Sequence, residues 1–238
     1  MKKSVIAGIT VAALVGIAAV AMPLVQGYAA AHIKAEIERS GTATVERVEV
    51  GILDRSIALE GFKSDRAGPV SIGQWRVSGL SWPLAELLQG RTPLSGFRWG
   101  DPLQADRLEL QDVRVGNRGA GGGFEVVSLV LEGIDLARFD GGEAGTYRGP
   151  APFARAMAAL SVRRLEQHNA VFTVPGDGDT LGVAGLVVER YDGGRIATVV
   201  SSGIEATAKD GRAPLFKVAD IEASDLDIRR ALMAWSSG

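Results

Sequence analysis

The stretch FEVVSLVLEGIDL, residues 124–136, decides how this chain folds, because its apolar residues follow a five-residue repeat. The repeat reads apolar, any, apolar, any, any, and it returns in FKVADIEASDLDI at 216–228. The five sets that follow it are Phe124, Val126, Leu129, Leu131, Ile134 and Leu136; Phe216, Val218, Ile221, Ala223, Leu226 and Ile228; Val70, Ile72, Trp75, Val77, Leu80 and Trp82; Leu103, Ala105, Leu108, Leu110, Val113 and Val115; and Leu181, Val183, Leu186, Val188 and Tyr191. Such spacing scatters side chains around a helix, whereas each apolar pair fits the two-residue period of a strand.

The extra residue between successive pairs raises a structural question, because it would turn each new pair to the opposite face of a strand. Three structures solve this: a β-bulge absorbs the residue, a tight bend begins a new strand, or a five-residue β-helix turns a corner at each pair. A β-helix needs a long unbroken run, whereas each run here stops after about three repeats. The β-helix is therefore the least favoured of the three.

Segments rich in Gly, Asp and Pro separate the strips and predict connections. PGDGD at 175–179, YDGG at 191–194 and KDG at 209–211 have the composition of hairpin turns. The chain from about Asn169 onward is therefore predicted to be a four-stranded antiparallel meander. The stretch 140–152 predicts a loop within one β-rich domain, 42–238.

Only two segments of that domain have the pattern of a helix, PLAELLQG at 83–90 and PFARAMAA at 152–159. We therefore predict a mainly β fold: one elongated, twisted, largely antiparallel sheet of about eight or nine strands, with one or two short helices. A sheet of this size needs cover on its apolar face. It can curl into a groove, associate with another chain, or hold lipid.

The N-terminal segment 1–31 predicts a transmembrane anchor. It contains Lys2 and Lys3 and no acidic residue, and Val5–Val25 as a helix would span about 30 Å, the thickness of a bilayer core. Positive residues stay on the cytoplasmic side, so the body of this single-pass protein would be exported. The alternative is a signal peptide cleaved near Ala29–Ala31. The segment 32–41 predicts a short juxtamembrane helix that ends near Gly41.

The stretch 103–139, LQADRLELQDVRVGNRGAGGGFEVVSLVLEGIDLARF, resembles the AsmA-like family of bacterial envelope proteins. The features that match are Leu108, Leu110, Val113 and Val115, the turn Gly116-Asn117, and the strand Phe124–Leu136. LSWPLAELLQGRTPLSGFRW at 80–99 resembles the family's short helix and strand, and LSVRRLEQHNAVFTV at 160–174 has His168-Asn169 at a corresponding turn. An anchor followed by many strands also resembles the YdgA-like proteins.

The resemblance implies a protein of the bacterial inner membrane with a cytoplasmic N-terminus, whose periplasmic sheet binds or conducts lipid along an apolar groove. The inner membrane, phospholipid and other envelope proteins are then the expected partners. The residues predicted to line the groove are Trp75, Val77, Leu108, Leu110, Leu129, Leu131, Ile221 and Leu226. The alternative is a structural component of an envelope or secretion complex whose sheet edge pairs with a partner strand.

No motif predicts catalysis, a cofactor or a metal site, so we expect a binding or structural protein rather than an enzyme such as an exported hydrolase. GNRGAGGG at 116–123 precedes a strand-like segment without lysine, which favours a flexible connection over a phosphate loop. GDGDT at 176–180 lacks the further oxygen ligands of a calcium loop and fits a turn. The net charge of −2 argues against nucleic-acid binding, and the absence of cysteine excludes disulfides and thiolate metal sites.

Isolated polar and aromatic residues have simple interpretations. His32 is expected at the membrane interface and His168 in a turn, while Asp135 and Asp227 recur at matching places in two strips, which favours a turn or a solvent-facing role. The aromatic-rich patch of the first half consists of Trp75, Trp82 and Trp99. It predicts core packing or, as the sharper hypothesis, the wall of a lipid groove.

Overall fold

A computed structural model describes residues 23, 25–39, 41–65, 68–81, 100–116, 122–141, 151–174, 176, 178–209 and 214–236. In these parts the chain forms ten strands, all in one antiparallel sheet, and three helices. The predicted mainly β class is confirmed.

The elements take up most of the described residues. Helix α1 spans 25–38. The strands are β1 (Ala43–Thr44), β2 (Arg47–Gly51), β3 (Ser56–Ser64), β4 (Val70–Ser78), β5 (Leu103–Gly116), β6 (Gly123–Leu136), β7 (Leu160–Thr173), β8 (Thr180–Asp192), β9 (Arg195–Thr207) and β10 (Pro214–Asp227), and the other helices are α2 (Ala151–Ala159) and α3 (Arg229–Ser236).

The strands from β3 to β10 follow one another across the sheet in chain order, so the sheet is a meander. The short strands β1 and β2 both pair with β3 and together form one edge, while β10 forms the other. The predicted four-stranded meander is confirmed, although it begins at Leu160 rather than near Asn169. The described residues of the five apolar strips lie on β4, β5, β6, β8 and β10, except Leu80 and Ile228, which follow the ends of β4 and β10.

The extra residue of each repeat lies inside continuous strands and leaves the pairing register unchanged. Val126 pairs with Ala170 and Ser128 with His168, so Val127 lies opposite Asn169 without a shift. The same interruption continues across the sheet as two cross-strand lines of residues, which we name kink rows. The first kink row is Gly61, Gly73, Asp112, Val127, Asn169, Ala184, Gly203 and Ala219; the second is Gly79, Asp106, Gly133, Arg163, Arg190, Ala197 and Asp225.

Within each kink row, residues with left-handed backbone alternate with ordinary ones. In the first row the left-handed residues are Gly61 (φ +63°), Asp112 (+52°), Asn169 (+50°) and Gly203 (+58°); in the second they are Gly79 (+67°), Gly133 (+60°), Arg190 (+52°) and Asp225 (+53°). Within a row, each residue with left-handed backbone therefore lies opposite residues with ordinary strand conformation on the neighbouring strands. The left-handed residues of the first row lie on β3, β5, β7 and β9. Those of the second row lie on β6, β8 and β10, and at Gly79, which directly follows β4.

The kink rows keep every apolar pair on one face of the sheet, which we name the apolar face. Leu108 and Ala105, from either side of the second kink row, pack in one cluster, and Leu110 and Val113 from either side of the first kink row pack in another. The first of the three sequence alternatives, absorption within the strand, is thus the closest. The difference from an ordinary bulge is that both paired strands contain the extra residue.

The three helices cover one end of the apolar face. Ala29 and Ile33 of α1 pack with Ile57 and Val77, while Met157 of α2 packs with Val162. The buried Tyr191 hydroxyl of β8 donates a hydrogen bond to the Met157 carbonyl (2.8 Å), and this satisfies a carbonyl in the last turn of α2. Burial raises the pKa of the Tyr191 phenol.

The Gly193–Gly194 turn joins β8 to β9 and also supports the helices. Both residues have positive φ, as the predicted hairpin requires. The amide of Gly193 donates to the carbonyl of Leu160, and the carbonyl of Gly194 accepts from the amide of Ile228, just before α3. A Cβ at Gly194 would lie 2.9 Å from side-chain atoms of Arg229 and Leu232, so α3 packs directly on this turn.

Other sequence predictions have mixed outcomes. The helix predicted at 152–159 is confirmed as α2, which begins at Ala151. Most of the loop predicted over 140–152 lies outside the described residues. The helix predicted over 32–41 begins further upstream, at 25, and Gly41 beyond it has φ +66°. The helix predicted at 83–90 lies outside the described residues.

The predicted anchor, Val5–Val25, lies almost entirely outside the described residues. Within the part of the chain that the structure describes, no helix combines the length and the hydropathy needed to cross a membrane.

Candidate functional site

The candidate site is the end of the apolar face that lies away from the described helices. Two adjacent cross-strand rows form it, and we name them the open rows. The outer row is Val70, Val115, Phe124, Phe172, Leu181, Ala206 and Phe216; the inner row is Ile72, Val113, Val126, Ala170, Val183, Ile204 and Val218. All fourteen side chains are apolar. Each of the seven consecutive strands from β4 to β10 supplies one pair of apolar residues, one to the outer row and one to the inner row.

Burial differs between the two open rows. Val113, Val126 and Ala170 of the inner row are buried in a cluster whose described members all come from strands. In the outer row, Phe172 is 43% exposed and Phe216 is 50% exposed. The rings of Phe124 and Phe172 lie side by side, with 4.7 Å between their centroids. Large apolar side chains at the surface of one continuous patch indicate a surface that contacts something other than water.

The residues predicted to line a groove fall into three neighbouring rows of the apolar face. Trp75, Leu110, Leu129 and Ile221 share one row; Val77, Leu108 and Leu131 share the next; Leu226 lies beyond the second kink row. All of them lie on the apolar face. Val77 does not line an open surface, because it is only 4% exposed and packs in the closed core beside α1. Ile221, at the β10 edge, is 44% exposed.

Two buried polar side chains interrupt the apolar face, and sequence analysis missed both. Gln167 and Ser201 lie in the same row as Leu129, where the repeat predicts apolar residues. Gln167 Nε2 donates to the carbonyl of Val183 (3.2 Å), and Ser201 Oγ donates to the carbonyl of Gly185 (3.3 Å). Val183 and Gly185 flank Ala184 of the first kink row, so both side chains satisfy backbone carbonyls beside the kink.

The opposite face of the sheet has a row of alternating charges. Arg107, Glu132, Arg164 and Glu189 lie opposite one another on β5 to β8. Arg107 Nη1 is 2.6 Å from Glu132 Oε1, and Arg164 Nη1 is 2.6 Å from Glu189 Oε1. Arg164 also pairs with Glu166, and the hydrogen bond from Arg164 holds the pKa of that carboxyl below its usual value. The lowered pKa favours the ionised form of Glu166, which is unsuitable for a general acid.

The isolated candidates of the sequence do not form a catalytic group. His168 lies in the middle of β7, paired with Ser128 and Gly185, and not in a turn as predicted. Asp135 and Asp227 face solvent, as expected; the hydrogen bond from the Arg229 side chain keeps the pKa of Asp227 well below its usual range. His32 lies half-buried on α1. Trp82 and Trp99 lie outside the described residues.

The two glycine-containing motifs lie between strands. Gly116 ends β5 and pairs with Gly123, the first residue of β6, so the segment 116–123 connects two strands as predicted. The turn after β7 is closed by the amide of Val174, which donates to the carbonyl of Asp179. Among the described residues, no group of three or more His, Asp or Glu side chains could hold a metal ion.

An open cavity of about 540 Å³ lies at the outer end of the sheet, beside the open rows. Its lining combines apolar residues of the outer row, including Val115 and Phe124, with the charged side chains of Lys63, Arg114 and Glu125. Arg114 and Glu125 lie on the polar face and are 3.8 Å apart. Charged groups therefore border the open apolar patch at this end.

Comparison of the chain with protein-family models, curated proteins and solved structures found no match.

Proposed function

We propose that this chain is a membrane-anchored, AsmA-like protein of the bacterial envelope that binds lipid acyl chains on its open rows. The observation that carries the proposal is the exposed apolar side chains of Val115, Phe172 and Phe216 in the outer row, next to the buried apolar cluster of the inner row. The segment Val5–Val25 supports an inner-membrane anchor with a periplasmic body. Phospholipid is the ligand class, and no catalytic step is part of the proposal.

The chemistry of the patch suits an acyl chain better than a polar ligand. Each buried methylene contributes about 0.8 kcal/mol, so about a dozen methylenes would contribute on the order of 10 kcal/mol before ordering costs. The inner row offers no free polar side chain to fix a specific head group. Lys63 and Arg114 lie at the rim but already pair with Glu46 and Glu125, so neither is reserved for a phosphate. We therefore expect low selectivity for the head group.

A second function, sheet-edge pairing within an envelope complex, is favoured by one specific observation. Strand β10 is 14 residues long and, among the strands that the structure describes, pairs with β9 alone. Its backbone groups on the other side are free to pair with another strand. Both functions can coexist, because the edge and the open rows are different surfaces.

Photocrosslinking at two adjacent residues tests the lipid proposal. A diazirine amino acid replaces Phe172, which faces the open rows, or Val171, which is 39% exposed on the opposite face. The experiment uses the full chain in carbonate-washed membranes that contain labelled phospholipid. We expect strong lipid adducts at 172 and weak ones at 171, because exposure is similar and only the face differs.

Two results would contradict the proposal. Equal lipid labelling at 171 and 172 would show general membrane contact and not a binding face. Loss of the protein from the washed membranes, together with a mature N-terminus near His32, would instead show that the N-terminal segment is cleaved and is not an anchor. Circular dichroism of both variants checks that the sheet is intact.

A further inference from the structure

In the described part of the chain, β10 is an edge strand of 14 residues. Helix α3 does not cover it, because the chain turns back at Ile228 and packs on the Gly193–Gly194 turn. The sheet continues on its other side through β9, in register from Phe216 to Asp227. The side of β10 that faces away from β9 has no partner among the described strands, so it is a template for a further strand.

The kink rows restrict which strand can pair there. In the first row, β9 contributes the left-handed Gly203 and β10 the ordinary Ala219; in the second, β9 contributes the ordinary Ala197 and β10 the left-handed Asp225. If the alternation continues, the next strand needs a left-handed residue opposite Ala219 and an ordinary one opposite Asp225. A strand without this pattern would lose register at one kink.

We propose that the partner is β10 of a second copy of this chain, antiparallel and related by a two-fold axis at Glu222. Ala219 and Asp225 each lie three residues from Glu222. The antiparallel copy therefore places its own Asp225 opposite Ala219 and its own Ala219 opposite Asp225. Both positions then obey the alternation found throughout the sheet, so β10 is complementary to itself in backbone conformation.

The side chains of this pairing are also compatible. On the apolar face, Val218 meets Leu226 of the second copy, and Ile221 meets Ala223. On the polar face, Lys217 lies opposite Asp227 of the second copy, where each would add to its existing ion pair with Glu205 or Arg229. The one unfavourable contact is Glu222 against Glu222 of the second copy, directly on the axis. This contact weakens the dimer and makes its register easy to test.

Disulfide trapping measures the register directly, because the chain contains no cysteine. Directly opposite residues bring Cβ atoms to about 5 Å, close to disulfide geometry. Full-length Glu222→Cys should therefore form a disulfide dimer on mild oxidation. An equimolar mixture of Asp220→Cys and Ser224→Cys should form the mixed dimer, whereas neither variant alone should.

The control is Val200→Cys, which is similarly exposed on β9 beside Glu222 but one strand away from the edge. We expect crosslinking at 222 to be about tenfold faster than at 200, because pairing raises the effective concentration of the opposed thiols. Equal rates at 200 and 222 would overturn the proposal, as would efficient crosslinking of Ser224→Cys alone. In either case the edge would serve another partner strand or none.

Charge exchange gives an independent readout. Mixing Glu222→Lys with wild-type protein should favour the heterodimer over both homodimers in sedimentation velocity, because the like charges on the axis become opposite. Glu222→Gln should tighten self-association by up to about fivefold. The control Glu36→Lys, an exposed change on α1, should alter neither. Unchanged association in both Glu222 variants would contradict the assigned axis.

Discussion

At the residue scale, two glycines with similar positive φ differ in the space available for a side chain. Gly194 (φ +94°) and Gly176 (φ +87°) are both in turns where L side chains are rare. A Cβ at Gly194 would meet Arg229 and Leu232 at 2.9 Å, whereas a Cβ at Gly176 would meet nothing within 4 Å. Gly194 therefore has two roles, as a turn residue and as the site on which α3 packs.

This difference predicts unequal effects of the same substitution. Gly176→Ala should lower the free energy of unfolding by about 1 kcal/mol through backbone strain alone. Gly194→Ala should cost clearly more, because it adds a clash that displaces α3. Urea unfolding measures both, and hydrogen exchange of α3 should speed up only in Gly194→Ala. Equal losses in the two variants would show that α3 does not depend on this contact.

At the element scale, the kink rows explain why the strands tolerate an extra residue in every repeat. Arg190 (φ +52°) and Arg163 lie opposite each other in the second kink row, yet only Arg190 has a left-handed backbone. Both side chains are exposed on the sheet. The row thus offers two arginines in one environment that differ in backbone conformation.

We predict opposite effects for glycine at these two positions. Arg190→Gly should stabilise the protein by about 1 kcal/mol, because glycine adopts positive φ without steric cost. Arg163→Gly should destabilise it by about 0.5–1 kcal/mol, because glycine weakens an ordinary strand position and the exposed contact with Glu132 is lost. Thermal unfolding decides the signs; a loss of stability in Arg190→Gly would contradict the role given to the kink.

The strands differ in how far sequence could predict them. β4, β5, β6, β8 and β10 were recognised because their repeats are wholly apolar. β7 and β9 were not among the strips, because Gln167 and Ser201 occupy apolar positions and bond to carbonyls that only a neighbouring strand supplies. The family resemblance predicts a turn at His168-Asn169; the structure has a kink there, in which Asn169 adopts the left-handed backbone conformation that turns also use. One strand alone cannot show that its neighbour is kinked at the same level.

At the scale of the whole molecule, the apolar face is closed at one end and open at the other. Val162 lies at the closed end, 4% exposed, in the cluster that contains Met157 of α2. Val115 lies in the outer open row, 38% exposed, between Val70 and Phe124. Both are apolar residues of strand-like segments, yet sequence could not assign them to different ends, because it does not show onto which end of the sheet the helices fold back.

This asymmetry predicts that the same valine-to-serine substitution lowers stability at the closed end of the apolar face and weakens lipid binding at the open end. Val162→Ser should lower the free energy of unfolding by about 3 kcal/mol, through a cavity and a buried hydroxyl, while Val115→Ser should cost less than about 1 kcal/mol. Added phospholipid should still raise the unfolding midpoint of Val162→Ser, because its open rows are intact. The lipid-induced rise should shrink in Val115→Ser, since a polar group then interrupts the acyl-binding patch. If the two variants lose stability equally and respond to lipid alike, the outer row is ordinary core and the sheet is a scaffold.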